Sequence, residues 1–146
     1  MKLKIKKLNE NVKIPSYAHE GDAGLDLVAT SLILDENNNL VYGTGLAIEI
    51  PTGYVGLIFP RSSNSKKDLI LTNHVGVIDS SYRGEIIFKY KSTLCSSGQY
   101  ITGKNYEVGD KVGQLILFPY PQVTIEEVKE LTETERGTNG FGSTGK

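Results

Sequence analysis

Residues 76–86 read Gly76-Val77-Ile78-Asp79-Ser80-Ser81-Tyr82-Arg83-Gly84-Glu85-Ile86. Two glycines flank a polar stretch that must reverse direction between an apolar run at 75–78 and another at 85–90. Glycine reaches backbone conformations closed to other residues, and the arrangement predicts a β-hairpin with its main chain exposed at the tip. Working outward, further runs rich in β-branched and aromatic residues lie at 25–34, 46–50, 54–59, 69–71, 112–118 and 122–131. Each is predicted to be a strand. Alternation is visible within them, with Leu46, Ile48 and Ile50 on one face and Ala47 and Glu49 on the other. Ile125, Val128 and Leu131 would also share a helical face, but Val123 and Ile125 fit period two, and the strand is the reading adopted for 122–131. Pro51, Thr52 and Gly53 mark a turn, as do Glu36 to Asn39. Residues 62–67, after Pro60, are expected to form one helical turn with a serine as its cap. Many short strands divided by turns predict an all-β sandwich, jelly roll or barrel.

Composition narrows the function. A chain of 146 residues is read as one domain, able to bury roughly 70% of its unfolded surface. A net charge of −1 argues against a strong electrostatic grip on nucleic acid, while leaving room for a small anion held by a local cluster. Lys2, Lys4, Lys6 and Lys7 alternate with Leu3, Ile5 and Leu8, the pattern of an outer strand whose lysines discourage edge pairing. Cys95 is the one cysteine, so no intrachain disulfide is possible, which fits a reducing compartment; it is read as a packing residue, not a nucleophile. No apolar run is long enough to span a membrane, and the N-terminus lacks the apolar core of a signal peptide. A cytoplasmic location is expected, in a cell or a virus-infected host.

The last residues are Arg136-Gly137-Thr138-Asn139-Gly140-Phe141-Gly142-Ser143-Thr144-Gly145-Lys146. Backbone N–H groups freed by glycine can turn inward and bind anions, and a guanidinium adds a bidentate phosphate contact. With Phe141 among them, the segment reads as a mobile lid for a phosphorylated aromatic ligand. It also spells a dinucleotide fingerprint (Gly140, Gly142, Gly145) and most of a P-loop (Gly140 to Lys146). Both motifs need a strand before and a helix after. The sequence ends at Lys146, and neither motif is expected to act as such.

Four more segments place small or polar residues where a turn alone would not demand them: Ala23-Gly24-Leu25-Asp26-Leu27, Pro60-Arg61-Ser62-Ser63, the 76–86 stretch itself, and Gly109 to Ile116. With the tail they make five motifs, in an order and spacing that resemble the trimeric deoxyuridine triphosphatase (dUTPase) family from residue 23 to residue 145. The resemblance implies a dUTPase-like jelly roll, or β-clip barrel, over residues 1–131 and a flexible glycine-rich arm at 132–146. It implies an enzyme that hydrolyses dUTP to dUMP and pyrophosphate with Mg²⁺, limiting uracil incorporation into DNA and supplying dUMP. It further implies a homotrimer with active sites between subunits and the tail crossing to a neighbour, with no direct nucleic-acid or membrane binding.

Residue roles follow from the resemblance. Asp79 is implied as the base that orders and deprotonates the attacking water. The main chain of Gly76, Val77, Ile78 and Gly84 would read the uracil edge, where fixed donors and acceptors leave no space for a 5-methyl group. Tyr82 would pack under deoxyribose and exclude a 2′-hydroxyl. Asn73 would help hold the base, and His74 beside it carries no matched role. Arg61 and Ser63 would bind phosphate, and Ser62 would donate to the α–β bridging oxygen where charge develops. Gln114 would contact the α-phosphate and the water. Asp26 would hold Mg²⁺ through water, as suits an ion that keeps its hydration; with no His/Cys cluster, zinc is not expected. Arg136 would reach the γ-phosphate, Phe141 would stack on uracil, and Gly142, Ser143 and Thr144 would wrap the β- and γ-phosphates. Ser63, Asn64 to Lys67, Lys111, Gly113 and Asn139 depart from the family pattern; the changes at 111 and 113 are expected to matter little, and Asn139 tolerates a left-handed backbone. Residues 93–106 form an excursion longer than a minimal hairpin loop. Two alternatives stand beside this reading: a relative resembling dCTP deaminase, disfavoured by the Asp79–Tyr82 pair, and a non-catalytic binding protein on the same fold, disfavoured by the intact Asp26, Ser62, Asp79, Gln114 and Arg136.

Overall fold

The computed structural model describes residues 1–94 and 104–140. Its strands are β1 (Lys4–Lys7), β2 (Leu25–Val28), β3 (Ser31–Leu34), β4 (Leu40–Glu49), β5 (Tyr54–Phe59), β6 (Leu69–Leu71), β7 (Gly76–Ile78), β8 (Glu85–Ser92) and β9 (Lys111–Pro119), with a 3-10 helix at Ser62–Lys66. They form two sheets, one in the order β1–β4–β8–β6 and the other β2–β9–β5–β7. All pairings are antiparallel. β1 pairs with residues 46–49 of β4 and β3 with residues 40–43, so the two lie end to end along one edge of the long strand.

The core fills the space between the sheets, as the alternation requires. Ile86, Phe88 and Tyr90 of β8 are fully buried, as are Tyr42, Ile48 and Val112. Three tyrosines bring hydroxyls inside, and each finds a partner, as buried polar groups must. Tyr90 donates to the Val112 carbonyl at 2.8 Å and Tyr42 to the Tyr106 carbonyl at 3.0 Å. Tyr106 donates to Asn64 Oδ1 at 3.2 Å.

The all-β expectation holds, and the lysine-rich start is the outer strand β1. Several local expectations need correction. The run 25–34 is not one strand. Ala29 donates to Asp110 beside β9 at 2.9 Å, and the next residue, Thr30, donates to Gly43 of β4 at 2.7 Å, so the chain changes sheets there. The glycine-flanked stretch is likewise not a hairpin: β7 pairs with β5, whereas β8 pairs with β4 and β6. A tight turn in which Tyr82 N–H donates to Asp79 O at 3.0 Å begins a crossover between sheets. Residues 122–131 form no strand; Val123, Ile125 and Leu131 are 72%, 91% and 86% exposed. Period two describes two faces but supplies no edge to pair with. The strand expected at 46–50 begins earlier, at Leu40. The helical turn after Pro60 is present, but Arg61 is its N-cap and no side chain caps it. Cys95 lies outside the described residues. Among those described, no helix is long and apolar enough to cross a membrane.

Candidate functional site

Register brings the first cluster together. Asp26 of β2 stands opposite Gln114 of β9, and Gln114 stands opposite Phe59, the last residue of β5. The chain leaving β5 through Pro60 therefore carries Arg61 and Ser62 to the same end of the sheet. Asp26 Oδ1 accepts from Arg61 Nε at 2.7 Å and Oδ2 accepts from Lys111 Nζ at 2.9 Å. Burial pushes the Asp26 carboxyl up, but hydrogen bonds and charge from Lys111 and Arg61 outweigh it and hold the group below its ordinary value. Gln114 Nε2 donates to the Pro60 carbonyl at 3.1 Å. Its Oε1 comes so close to Gly24, two residues before Asp26, that a Cβ there would stand 2.4 Å away. Ser63 Oγ accepts from Arg61 Nη1 at 3.5 Å. Asp26, Arg61, Ser62, Lys111 and Gln114 line an open concavity of about 540 Å³.

A second concavity, of about 300 Å³, lies along β7 and contains Asn73, Gly76, Val77, Ile78, Asp79 and Tyr82. Asp79 and Asn73 are exposed, and Val77 is 63% exposed. The Tyr82 hydroxyl donates to the Glu85 carbonyl at 3.0 Å, and its ring covers Gly84. His74 adopts a left-handed backbone with φ of 58°.

The two concavities share no lining residue. Gly76 is paired with Ile58; Arg61 lies three residues beyond Ile58, and Asp79 three beyond Gly76 in the opposite direction. Six strand spacings separate them by roughly 20 Å. The structure thus assembles Asp26, Arg61, Ser62, Ser63 and Gln114 in one place and Asn73, Gly76, Val77, Ile78, Asp79, Tyr82 and Gly84 in another. Arg136 is exposed, and its Nε donates to Asn139 O at 3.0 Å. Phe141, Gly142, Ser143 and Thr144 lie outside the described residues.

Sequence reasoning undervalued Lys111, the second partner of Asp26, and Gly113, whose absent methyl is occupied by Phe88: a Cβ there would lie 2.0 Å from Phe88 Cε1. It also missed Asn64, within the 3-10 turn, and Tyr106 beneath it. A departure from the family pattern was the available signal at 64, 111 and 113. No cluster of three or more potential metal ligands occurs among the described residues. Asp26 has each oxygen engaged by a cation, so it suits a cation held through water rather than directly.

A family model described as dUTPase matches residues 10–145. A deoxyuridine 5'-triphosphate nucleotidohydrolase of Clostridium tetani is 43% identical over 148 residues, covering 99% of this chain and 97% of its own. Among solved structures, a dUTPase of Staphylococcus bacteriophage 80alpha with dUPNHPP superposes with a TM-score of 0.83 at 28% identity, covering 99% of this chain and 98% of its own. A mutant dUTPase from phage phi11 of S. aureus, described with the coordination of a structural Mg(II) ion, gives 0.76 at 28% identity, covering 91% and 100%.

Proposed function

The chain belongs to the dUTPase family and hydrolyses dUTP to dUMP and pyrophosphate, and from that premise we propose how its residues divide the reaction. The supporting observation is the separation of Asp79 from Arg61 and Ser62. A carboxylate that orders a water on the α-phosphorus lies about two hydrogen-bond lengths from that phosphorus, roughly 6 Å, and a hydroxyl on the adjoining bridging oxygen lies nearer still. Residues about 20 Å apart along one β5–β7 pair do not meet that condition, so the site is completed by a second copy of the chain, in a homotrimer.

In this reading, the concavity at Asp26 receives the triphosphate. Arg61 keeps its Nε on Asp26 and offers the rest of its fork to phosphate. Ser62 donates to the α–β bridging oxygen as charge develops on the leaving pyrophosphate; Gln114 contacts the α-phosphate, and Ser63 adds a hydroxyl. The concavity along β7 of the neighbouring copy reads uracil through the main chain of Gly76, Val77, Ile78 and Gly84. Tyr82, fixed by its bond to Glu85 O, supports the deoxyribose. Asp79, aided by Asn73, takes a proton from the water that attacks phosphorus. The arm closes the site, with Arg136 on the γ-phosphate, Phe141 over uracil, and Gly142, Ser143 and Thr144 around the outer phosphates. Bound Mg²⁺ would neutralise charge on the triphosphate, with Asp26 holding it through water. A reducing, cytoplasmic setting fits this substrate.

Purified protein with Mg²⁺ should release pyrophosphate from dUTP and not from dTTP, dCTP or UTP, with no ammonia from dCTP. Asp79→Asn should bind a non-hydrolysable dUTP analogue as the parent does while turnover falls by about 10²- to 10⁴-fold. Unchanged turnover would remove Asp79 from its role.

A further inference from the structure

The 3-10 turn that presents Arg61 and Ser62 has little to hold it from within. It is five residues long, none of them buried, and no side chain caps it. Its backbone is closed by Asn64 N–H to Arg61 O and Lys67 N–H to Asn64 O, both at 2.9 Å. Such short 3-10 segments have poor hydrogen-bond geometry and take their shape from what they rest on.

Here they rest on Tyr106. That side chain is 3% exposed, packed edge-on to Tyr42 at 6.0 Å and tilted against Tyr90 at 5.6 Å, while its own carbonyl accepts from Tyr42. From this fixed base its hydroxyl donates to Asn64 Oδ1 at 3.2 Å. Asn64 uses its other end as well, donating from Nδ2 to the Leu69 carbonyl at 2.9 Å, so one amide ties the turn to the core and to the start of β6. Lys67, at the turn's end, lies 4.7 Å over the Tyr106 ring and donates to the Asn105 carbonyl at 2.7 Å. Burial pushes the Tyr106 phenol up, and Ser63 and the Arg61 guanidinium pull it partly back.

We infer that Tyr106 and Asn64 are positioning residues for dUTP hydrolysis, holding the turn that presents Arg61 and Ser62 to the triphosphate; this rests on the proposed role of that turn. Neither residue touches substrate. Their hydrogen bond transmits the rigidity of the aromatic cluster to a surface turn that would otherwise sample several shapes.

Tyr106→Phe removes only the hydroxyl and keeps the ring, so thermal unfolding should stay within a few degrees of the parent. Its kcat for dUTP should fall at least fivefold, toward the roughly hundredfold that a 1 Å misplacement costs. The inhibition constant of dUMP, which lacks the β- and γ-phosphates, should be unchanged. Asn64→Ala should lose more, since it also gives up the bond to Leu69, and adding Tyr106→Phe to it should cost nothing further because the shared bond is already gone. Parental kcat in Tyr106→Phe, or losses that multiply in the double variant, would overturn the inference. So would a parallel weakening of dUMP inhibition. Arg61→Ala is the control for the underlying reading: if it turns over dUTP normally, the turn's role fails first, whereas a crippled Arg61→Ala beside a normal Tyr106→Phe overturns the positioning role alone.

Discussion

Two inactive variants of this chain should make an active enzyme when mixed. One copy carries Asp79→Asn, which damages the concavity along β7; the other carries Arg61→Ala, which damages the concavity at Asp26. The lining residues of the two concavities do not overlap, so each variant leaves the other concavity intact. The register Ile58↔Gly76 sets Asp79 and Arg61 roughly 20 Å apart within one chain, and the proposed site draws them from two chains. With equal amounts of both variants and random assembly, a site is whole only when its Asp79 comes from an Arg61→Ala copy and its Arg61 from an Asp79→Asn copy. Those two choices leave about one quarter of sites whole in a closed oligomer. Each variant alone should retain about 1% of parental turnover or less, taking general-base and oxyanion-type contributions of 10² or more. Mixing should therefore raise pyrophosphate release at least about tenfold over either parent variant. The assay is pyrophosphate release from dUTP after joint unfolding and refolding, across mixing ratios, with the maximum at equal amounts. A rate that stays at the sum of the two separate variants at every ratio would refute the division of the site between chains.

Asp26→Asn should lower stability at neutral pH by about 1–2 kcal/mol, since it loses the charge of two hydrogen bonds partly open to solvent. The Asp26 carboxyl is lowered on folding from 3.8, so its contribution is present above that value and fades as pH falls through the lower folded value. The melting difference between parent and variant should accordingly shrink below about pH 4, and a difference constant from pH 7 to pH 3 would contradict it. Gly113→Ala should destabilise by about 1–3 kcal/mol through overpacking against Phe88, lowering the melting temperature by several degrees at fixed protein concentration. Phe88→Leu added to Gly113→Ala should recover part of that loss, and a neutral Gly113→Ala would show that the ring moves freely.

Much of the site was legible because its chemistry is carried by residue type. Asp26, Arg61, Ser62 and Gln114 were singled out from three separated motifs, and the register β2–β9–β5 unites them at one end of a sheet. What the sequence hid was partnership. The run 25–34 has continuous strand character, yet Ala29 and Thr30 bond to opposite sheets, and no local propensity encodes which sheet a residue joins. Residues 76–86 look like a hairpin because two apolar runs flank a glycine-bounded turn; the same pattern serves a crossover when each run finds a different partner. At 122–131 alternation misled for a related reason, since exposed Ile125 and Leu131 have no strand beside them among the described residues. Asn64 and Tyr106 lie 42 positions apart and carry no motif at all, and only the packing of three tyrosines places the second under the first.

In the proposed reaction, the charges at Asp26 give a metal ion its purpose. Arg61 and Lys111 flank Asp26, and Asp22 also lines the concavity, so its two cations are matched by two carboxylates before any anion arrives. A resting site with both cations unpaired would suffer their mutual repulsion; Asp26 removes that cost and fixes the Arg61 fork in one orientation. The same carboxylate subtracts from the attraction available to a triphosphate, which carries several negative charges and develops more on its leaving group. In the proposed closed site Arg136 would supply one further cation, and that would still fall short. A divalent ion travelling with the phosphates closes the gap without demanding another preformed cation in the protein. Because the oxygens of Asp26 are engaged, the proposed ion would meet it through water, in keeping with the hydration Mg²⁺ retains. In the proposed reaction Asp26 would then act twice, orienting Arg61 before substrate arrives and leaving a charge deficit for substrate-borne metal to fill.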